Sequence, residues 1–499
     1  MASSKIFPMD WMATRPYNTL DGVDFYYIEL ANKVIYMLDH SPVSGFFNDT
    51  GTRERAGMYF SMWLEDICSN IGVWRVVNHQ CMKRYGVFLP FYDTSDYYEG
   101  EVNYADVSLL LWHFMQAHSG GGRLFNPENP ALLETADMLT DLLEEEYEWA
   151  PENERLFSWI NQPEATIDWW KCRNLIEWFQ MSYYIFPDSH DRLAEQLQHS
   201  ASLNIGESEL AYMVVTEMMY NSRKNLLSLT TLQWLYQITG YNIFNTIERT
   251  EQGCYLYKGV RDRFMLLYDL VNEKEYKVEL DSMKDGGKSL KVHTVDDTVL
   301  LVSLVNYDGR YYVSGMMLSL GSIKKVQKMV DEKRYEQKLM SDQKDNYPLF
   351  LGASKGEPVV VVKNITEVKA FFEKELNFDA MSLKFPGVSP APKCYAIYGD
   401  PVNGVCISQS DGECIAAPFN KYYKKTSAKK SAMSFYLNTG AVPYRVACLL
   451  HDRGYLPDAA INSLNGYEYG RDFLHDNANF FLDYFYYSTR EQDFDPYFK

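Results

Sequence analysis

Between Gly253 and Gly321 the sequence changes rhythm, and the rest of the chain has to be built around that change. Glu275-Tyr-Lys-Val-Glu-Leu280 and Ser289-Leu-Lys-Val-His293 alternate polar and apolar residues with period two, the pattern of strands with one buried face. Cys254 to Tyr257, Arg263 to Tyr268 and the wholly apolar Thr298 to Val305 read as further strands, and Arg310 to Ser314 as another. Turn formers separate them: Asn272 after Asp269, the pair Gly286-Gly287, and Asp308-Gly309, which tolerates the positive φ of a two-residue hairpin. Five or six short strands joined in this way predict one small, strongly bent antiparallel sheet or a five-stranded barrel of the SH3-like or OB-like kind, with Val299, Leu301 and Val305 inside it. Some barrels of this size bind peptides or nucleic acid and others are spacers, so the fold alone carries no function.

Upstream the apolar residues recur at helical spacing. Phe25, Ile28, Leu30, Ala31, Val34, Ile35 and Leu38 form one face after Asp24; Tyr59, Phe60, Trp63, Leu64 and Ile67 form another in a segment from Arg53 to Tyr85 that Gly72 interrupts. Gly86 is a C-terminal stop, Asn103 or Asp106 caps the next helix, and Asn129-Pro130 opens another with proline in its first turn. A further short helix is expected over Arg192 to Leu197. Downstream, a helix over Ile323 to Met340 precedes a strand at Val359 to Lys363 and a helix from Thr366 to Leu376. Short strands follow at Cys394 to Tyr398 and Gly404 to Ser408, then helices over Lys421 to Leu437, Pro443 to Asp452, Asp458 to Leu464 and Arg471 to Tyr487. The chain therefore reads as an α+β multidomain protein: an all-helical domain over residues 1–245, a small antiparallel β-barrel-like domain over 250–322, and an α+β domain over 323–499.

The net charge of −19 argues against bulk affinity for nucleic acid or anionic membranes, and no window approaches the apolar length of a membrane span. Eight scattered cysteines without a Cys-x-x-Cys pair, and a start lacking an apolar signal segment, point to free thiols and a cytoplasmic location.

The motifs of known chemistry are mostly absent. There is no phosphate-binding glycine loop of either common type, no His-Glu-x-x-His and no Gly-x-Ser-x-Gly, so no cofactor is expected. Ser119-Gly-Gly-Gly-Arg123 reads as a loop ending a helix. Ser322-x-x-Lys325 and Ser427-x-x-Lys430 match a nucleophile pattern without its companion motifs. Cys394, Cys406, Cys414, Cys448 and His451 hold soft metal ligands, but only Cys448 and His451 have zinc-site spacing, so buried thiols are expected and no metal. Two His-Asp pairs, His451-Asp452 and His475-Asp476, match part of a metal-dependent phosphohydrolase site; the nearest upstream histidine, His293, falls in an expected strand.

One charge feature stands apart. From Ile415 to His451 there is no carboxylate, yet Lys421, Lys424, Lys425, Lys429, Lys430 and Arg445 are present, with Tyr422 and Tyr423 interleaved. These eight residues form the candidate surface for an anionic partner, whether a protein or a nucleic acid, with the tyrosines able to stack on bases. The expected role is a binding or interaction protein; the alternative is a hydrolase or nucleic-acid-processing enzyme.

Several local patterns in the first 160 or so residues are distinctive: Lys5-Ile-Phe-Pro-Met-Asp-Trp11 with Arg15-Pro-Tyr17, Phe25-Tyr-Tyr-Ile-Glu-Leu-Ala-Asn32, Trp63-Leu-Glu-Asp-Ile67, Tyr85-Gly-Val-Phe-Leu-Pro-Phe-Tyr92, and Tyr97-Tyr-Glu-Gly-Glu-Val-Asn103 leading to Asp106. In these the chain resembles an uncharacterised family from Bacteroidota catalogued only as a domain of unknown function. The resemblance implies a bacterial intracellular protein and transfers no catalytic residue.

Overall fold

The structure is a computed structural model that describes residues 5–119, 123–187, 189, 193–194, 197–198, 206–250, 252–283, 297–344, 346–385, 387, 392–409, 411–437 and 442–487. The expected strand at Ser289 to His293, the Gly286-Gly287 break and half of the expected helix at Arg192 to Leu197 lie outside these residues. The described residues form two compact units. The first comprises residues 1–118, 127–223 and 229–332, and the second 119–126, 224–228 and 333–499.

The first unit opens with helices. Long α2 (Gly22–Asp39) and α3 (Thr50–Cys68) follow the short α1 (Pro8–Ala13), and α4 (Val73–Tyr85), α5 (Tyr104–Ala117), α6 (Pro130–Tyr147), α7 (Glu154–Ile160), α8 (Trp169–Ser182), α9 (Glu207–Asn221), α10 (Thr231–Thr239) and α11 (Asn242–Thr246) complete the helical half. Side-chain caps set several starts: Asp21 accepts from the amides of Val23 and Asp24, Asp49 from Thr52, and Asn129 from Ala131 ahead of Pro130. Gly72, at φ 96°, separates α3 from α4, and Gly86 and Gly240 close α4 and α10 in the left-handed region.

The β half of this unit is a closed five-stranded barrel. β2 (Gly253–Arg261), β3 (Phe264–Asp269) and β4 (Glu275–Glu279) form a meander; β5 (Thr298–Tyr307) pairs with β2, and β6 (Arg310–Ser322) pairs with both β5 and β4. Short β1 (Glu248–Arg249) adds to β5. The closing contact, Val278 opposite Tyr311, is parallel, so the sheet is not wholly antiparallel as expected. A meander of three strands with the fifth inserted between third and fourth, parallel to the third, is the connectivity of the OB-like alternative. The Asp308-Gly309 turn forms as predicted, with φ of 49° and 73°.

The barrel interior holds Tyr255, Tyr257, Met265, Leu267, Tyr276, Val278, Leu300, Val302, Leu304 and Val313. The expectation for β5 was therefore one residue out of step. Val299 and Leu301 face outward instead, and Val299 packs with Cys254, Leu256, Val326 and Val330, the last two from α12 (Ile323–Lys344). An apolar strand covered on both faces carries no alternation, so its parity is not readable. Each such side chain contributes about 1.5–3 kcal/mol on burial. The helical half seats on the barrel through Trp169, stacked on Tyr312 at 4.8 Å, and through the Tyr307 hydroxyl, which donates to the Ile167 carbonyl at 2.5 Å. Gly315, at φ 78°, permits a further approach: a Cβ there would lie 2.9 Å from Thr216 Cγ2 on α9.

The second unit is an α+β assembly. β7 (Val359–Val362), β8 (Tyr395–Asp400) and β9 (Gly404–Ser408) form an antiparallel sheet in that order. α13 (Tyr347–Ala353) and α14 (Ile365–Glu375) cover it through Phe350, Val368 and Phe372, packed on Tyr395, Ile397, Val405 and Ile407. α15 (Lys425–Ser431), α16 (Ser434–Leu437), α17 (Tyr444–Asp452), α18 (Tyr467–Asp476) and α19 (Ala478–Phe485) follow. No helix spans residues 458–464; Ile461 instead donates to the Gly470 carbonyl, and Asn462-Ser-Leu-Asn-Gly466 turns the chain. Residues from elsewhere in the sequence complete the unit: Asn126 donates to the Asn462 carbonyl and Ser228 to the Asp483 carbonyl.

All eight cysteines are free, and no helix among the described residues is long and apolar enough to cross a membrane.

Candidate functional site

The lysine-rich stretch is positioned by Asn420. Its Nδ2 donates to the carbonyls of Gly412 and Ile415, both at 2.8 Å, while its Oδ1 accepts from the Tyr422 amide at 3.0 Å. These bonds hold residues 420–424 in turns, so the helix expected from Lys421 starts only at Lys425 and then breaks between α15 and α16. Lys421, Tyr423, Lys424, Lys425, Lys429 and Lys430 are exposed, Tyr422 is half-buried, and Arg445 is exposed on α17. Lys421 Nζ lies over the Tyr422 ring at 5.1 Å.

The island is less uniform than the sequence suggested. Glu413, two residues before the carboxylate-free stretch begins, accepts Lys424 Nζ at 2.7 Å and Ser427 Oγ at 2.9 Å. The Lys424 hydrogen bond lowers the Glu413 pKa, and the same bond raises that of Lys424. Ser427 is thus engaged with a carboxylate and not with Lys430, which disposes of one Ser-x-x-Lys reading. Of the clustered thiols, Cys394, Cys406 and Cys414 are buried, and burial raises the pKa of Cys394 to about 11. Among the described residues no group of three His, Cys, Asp or Glu side chains is arranged to hold a metal ion. Residues 120–122 of the glycine run and His293 lie outside the described residues.

The two His-Asp pairs, distant in sequence, do meet. His451 ends α17 and His475 ends α18, and their rings stand 4.9 Å apart.

The residues that reading by motif passed over are buried carboxylates in the helical half. Asp24 accepts from Trp11 Nε1 and Arg15 Nε, both at 3.1 Å; Arg15 Nη2 reaches Glu65 at 2.8 Å, and Asn153 Nδ2 donates to Glu65 at 2.8 Å. Next in sequence, Asp66 accepts from the amides of Gly72, Val73 and Trp74 and from the Tyr184 hydroxyl, so it caps α4 from the end of α3. Asp106 accepts from Trp74 Nε1, Tyr97 and Asn103. Burial raises the pKa values of Glu65, Asp66 and Asp106, the last to about 7. The cleft beside Asp66 and Asn78 has a volume of about 40 Å3, little more than one water. These groups are fastenings, each satisfied by several donors. The signal was legible: Glu65-Asp66 interrupts the apolar run Met62-Trp-Leu64 to Ile67 six residues before the Gly72 break.

No curated protein and no solved structure matches the chain. A family model described as "protein of unknown function (DUF3843)" matches residues 5–275 and 308–487. That match takes in the buried Arg15–Asp24–Glu65 and Asp66–Asp106 fastenings, the barrel strands β2, β3 and β6 but not β5, and nearly all of the second unit, and the chain belongs to this family of unknown function.

Proposed function

We propose that this is a binding protein whose contact face is the segment from Phe419 to Lys430, and that its partner is a polyanion, single-stranded nucleic acid fitting the chemistry best. One observation carries the reading: Lys421, Lys425, Lys429 and Lys430 are exposed on the same short stretch as the rings of Phe419 and Tyr423, themselves 48% and 39% exposed. Exposed aromatic rings interleaved with cations serve single strands, because every base offers a face to stack on while lysines follow the phosphates. Of the lysines in this stretch, Glu413 forms an ion pair with Lys424. The overall charge of −19 repels a polyanion at long range, so the contact is local and specific to this face.

The test is a fluorescence-anisotropy titration with a labelled single-stranded oligonucleotide across salt concentrations. Four phosphate contacts give a slope of log K against log salt of about −3. The quadruple variant Lys421→Gln, Lys425→Gln, Lys429→Gln, Lys430→Gln abolishes that dependence and the binding. Unchanged affinity and slope in the variant refute the reading, as does an absence of binding by the unaltered protein at low salt.

A further inference from the structure

In the second unit, two imidazoles from different helices come together at the helix ends. His451, in the last turn of α17, keeps 12% of its side chain exposed; both ring nitrogens are buried and neither has a hydrogen-bond partner among the described residues. Imidazole nitrogens shut away without partners are uncommon, because each forfeits a hydrogen bond to water. His475, in the last turn of α18, stands beside it with 69% of its side chain exposed. The ring centroids are 4.9 Å apart and the planes are inclined by 41°, so the rings do not lie face to face.

We infer that His451 and His475 are the two protein ligands of a divalent transition-metal site on the surface of the second unit. The spacing fits. A zinc–nitrogen bond of about 2.0–2.1 Å places each ring centre about 3.2 Å from the ion, and two such rings at a tetrahedral angle lie about 5.2 Å apart. The chemistry fits also: imidazole nitrogen suits zinc, copper and nickel.

Each histidine is followed by an aspartate whose Oδ1 lies 3.7 Å from its Nδ1, Asp452 for His451 and Asp476 for His475. A carboxylate beside Nδ1 leaves Nε2 as the nitrogen for the metal. No third His, Cys, Asp or Glu among the described residues joins the pair, so the two imidazoles are the protein's whole contribution. The site is separate from the lysine face and does not depend on the function proposed for it.

The experiment is a calorimetric titration of the full chain with Zn2+ under thiol-reducing conditions, run in parallel on His475→Ala and His79→Ala. His475 is largely exposed, so its truncation leaves the fold intact, which circular dichroism checks. His79 is a second exposed histidine beside a carboxylate, Glu99 at 3.1 Å, and controls for adventitious single-imidazole binding. The unaltered protein and His79→Ala are expected to bind one equivalent that His475→Ala lacks; zinc held by thiols appears in all three and cancels. Equal stoichiometry and affinity in all three proteins, or no binding by the unaltered protein, overturns the inference.

Discussion

Replacing Asp106 with asparagine isolates the titration of one buried carboxylate. In the folded chain Oδ1 accepts from Trp74 Nε1 at 2.6 Å and Tyr97 at 2.8 Å, and Oδ2 accepts from Asn103 Nδ2 at 3.0 Å. Those donors favour the ionised form and burial favours the neutral one; burial prevails and the pKa rises to about 7. The unfolded chain has an ordinary aspartate near about 3.9. Between those values the folded state holds a proton that the unfolded state has released, so stability is highest at low pH and declines as pH rises to about 7. Each pH unit inside the window is worth about 1.4 kcal/mol, so from pH 5.5 to pH 8 this group removes about 2 kcal/mol. The Asp106→Asn variant cannot titrate here. It keeps an acceptor for Trp74 and Tyr97 but turns a donor toward Asn103, whose amide is fixed by its bonds to Tyr98 and Glu101. The variant is therefore less stable at pH 5.5, and its deficit shrinks by about 2 kcal/mol by pH 8. Urea unfolding followed by tryptophan fluorescence at several pH values measures this, since the other titrating groups cancel in the difference. A deficit that stays constant from pH 5.5 to pH 8 refutes the reasoning and means that the three donors keep Asp106 ionised throughout.

Two further substitutions test the helical half. Arg15→Met leaves Asp24 and Glu65 buried without their cation, and urea unfolding should show a loss of about 3–5 kcal/mol; Arg15→Lys should rescue little of it, because one ammonium cannot reproduce the forked contact. Gly57→Ala places a methyl 2.7 Å from the Ala31 carbonyl oxygen and 2.8 Å from Ile35 Cγ1 where α2 crosses α3, and should cost about 1–3 kcal/mol by the same measurement.

Local chemistry made much of this fold readable. The Asn129-Pro130 start, the Gly86 stop and the Asp308-Gly309 hairpin are each decided within a few residues. What depended on distant partners was not readable. The parallel seam between Val278 and Tyr311 joins positions separated by a strand, a turn and a long connection, and no local pattern records it. The parity of β5 was hidden because α12 covers the face that a half-exposed strand would show to water. The lysine stretch is legible in its charges, but its partner Glu413 lies two residues before the carboxylate-free segment begins. His451 and His475 were singled out for their neighbouring aspartates, whereas their pairing comes from the way α17 and α18 meet.

The second unit borrows residues 119–126 and 224–228 from the first half of the chain, and this bears on how the protein is made. No single cut in the sequence separates the two units, so a fragment starting at residue 333 lacks the Asn126 and Ser228 bonds to the carbonyls of Asn462 and Asp483. During synthesis the first unit has all of its residues once Glu332 has emerged. The two borrowed segments then wait for partners that are 336 and 255 positions away from Asn126 and Ser228. Closing loops of that length is slow. A ribosome stalled between Glu332 and Asn462 would therefore display a folded first unit with two unfinished edges, which is where a chaperone would find this chain.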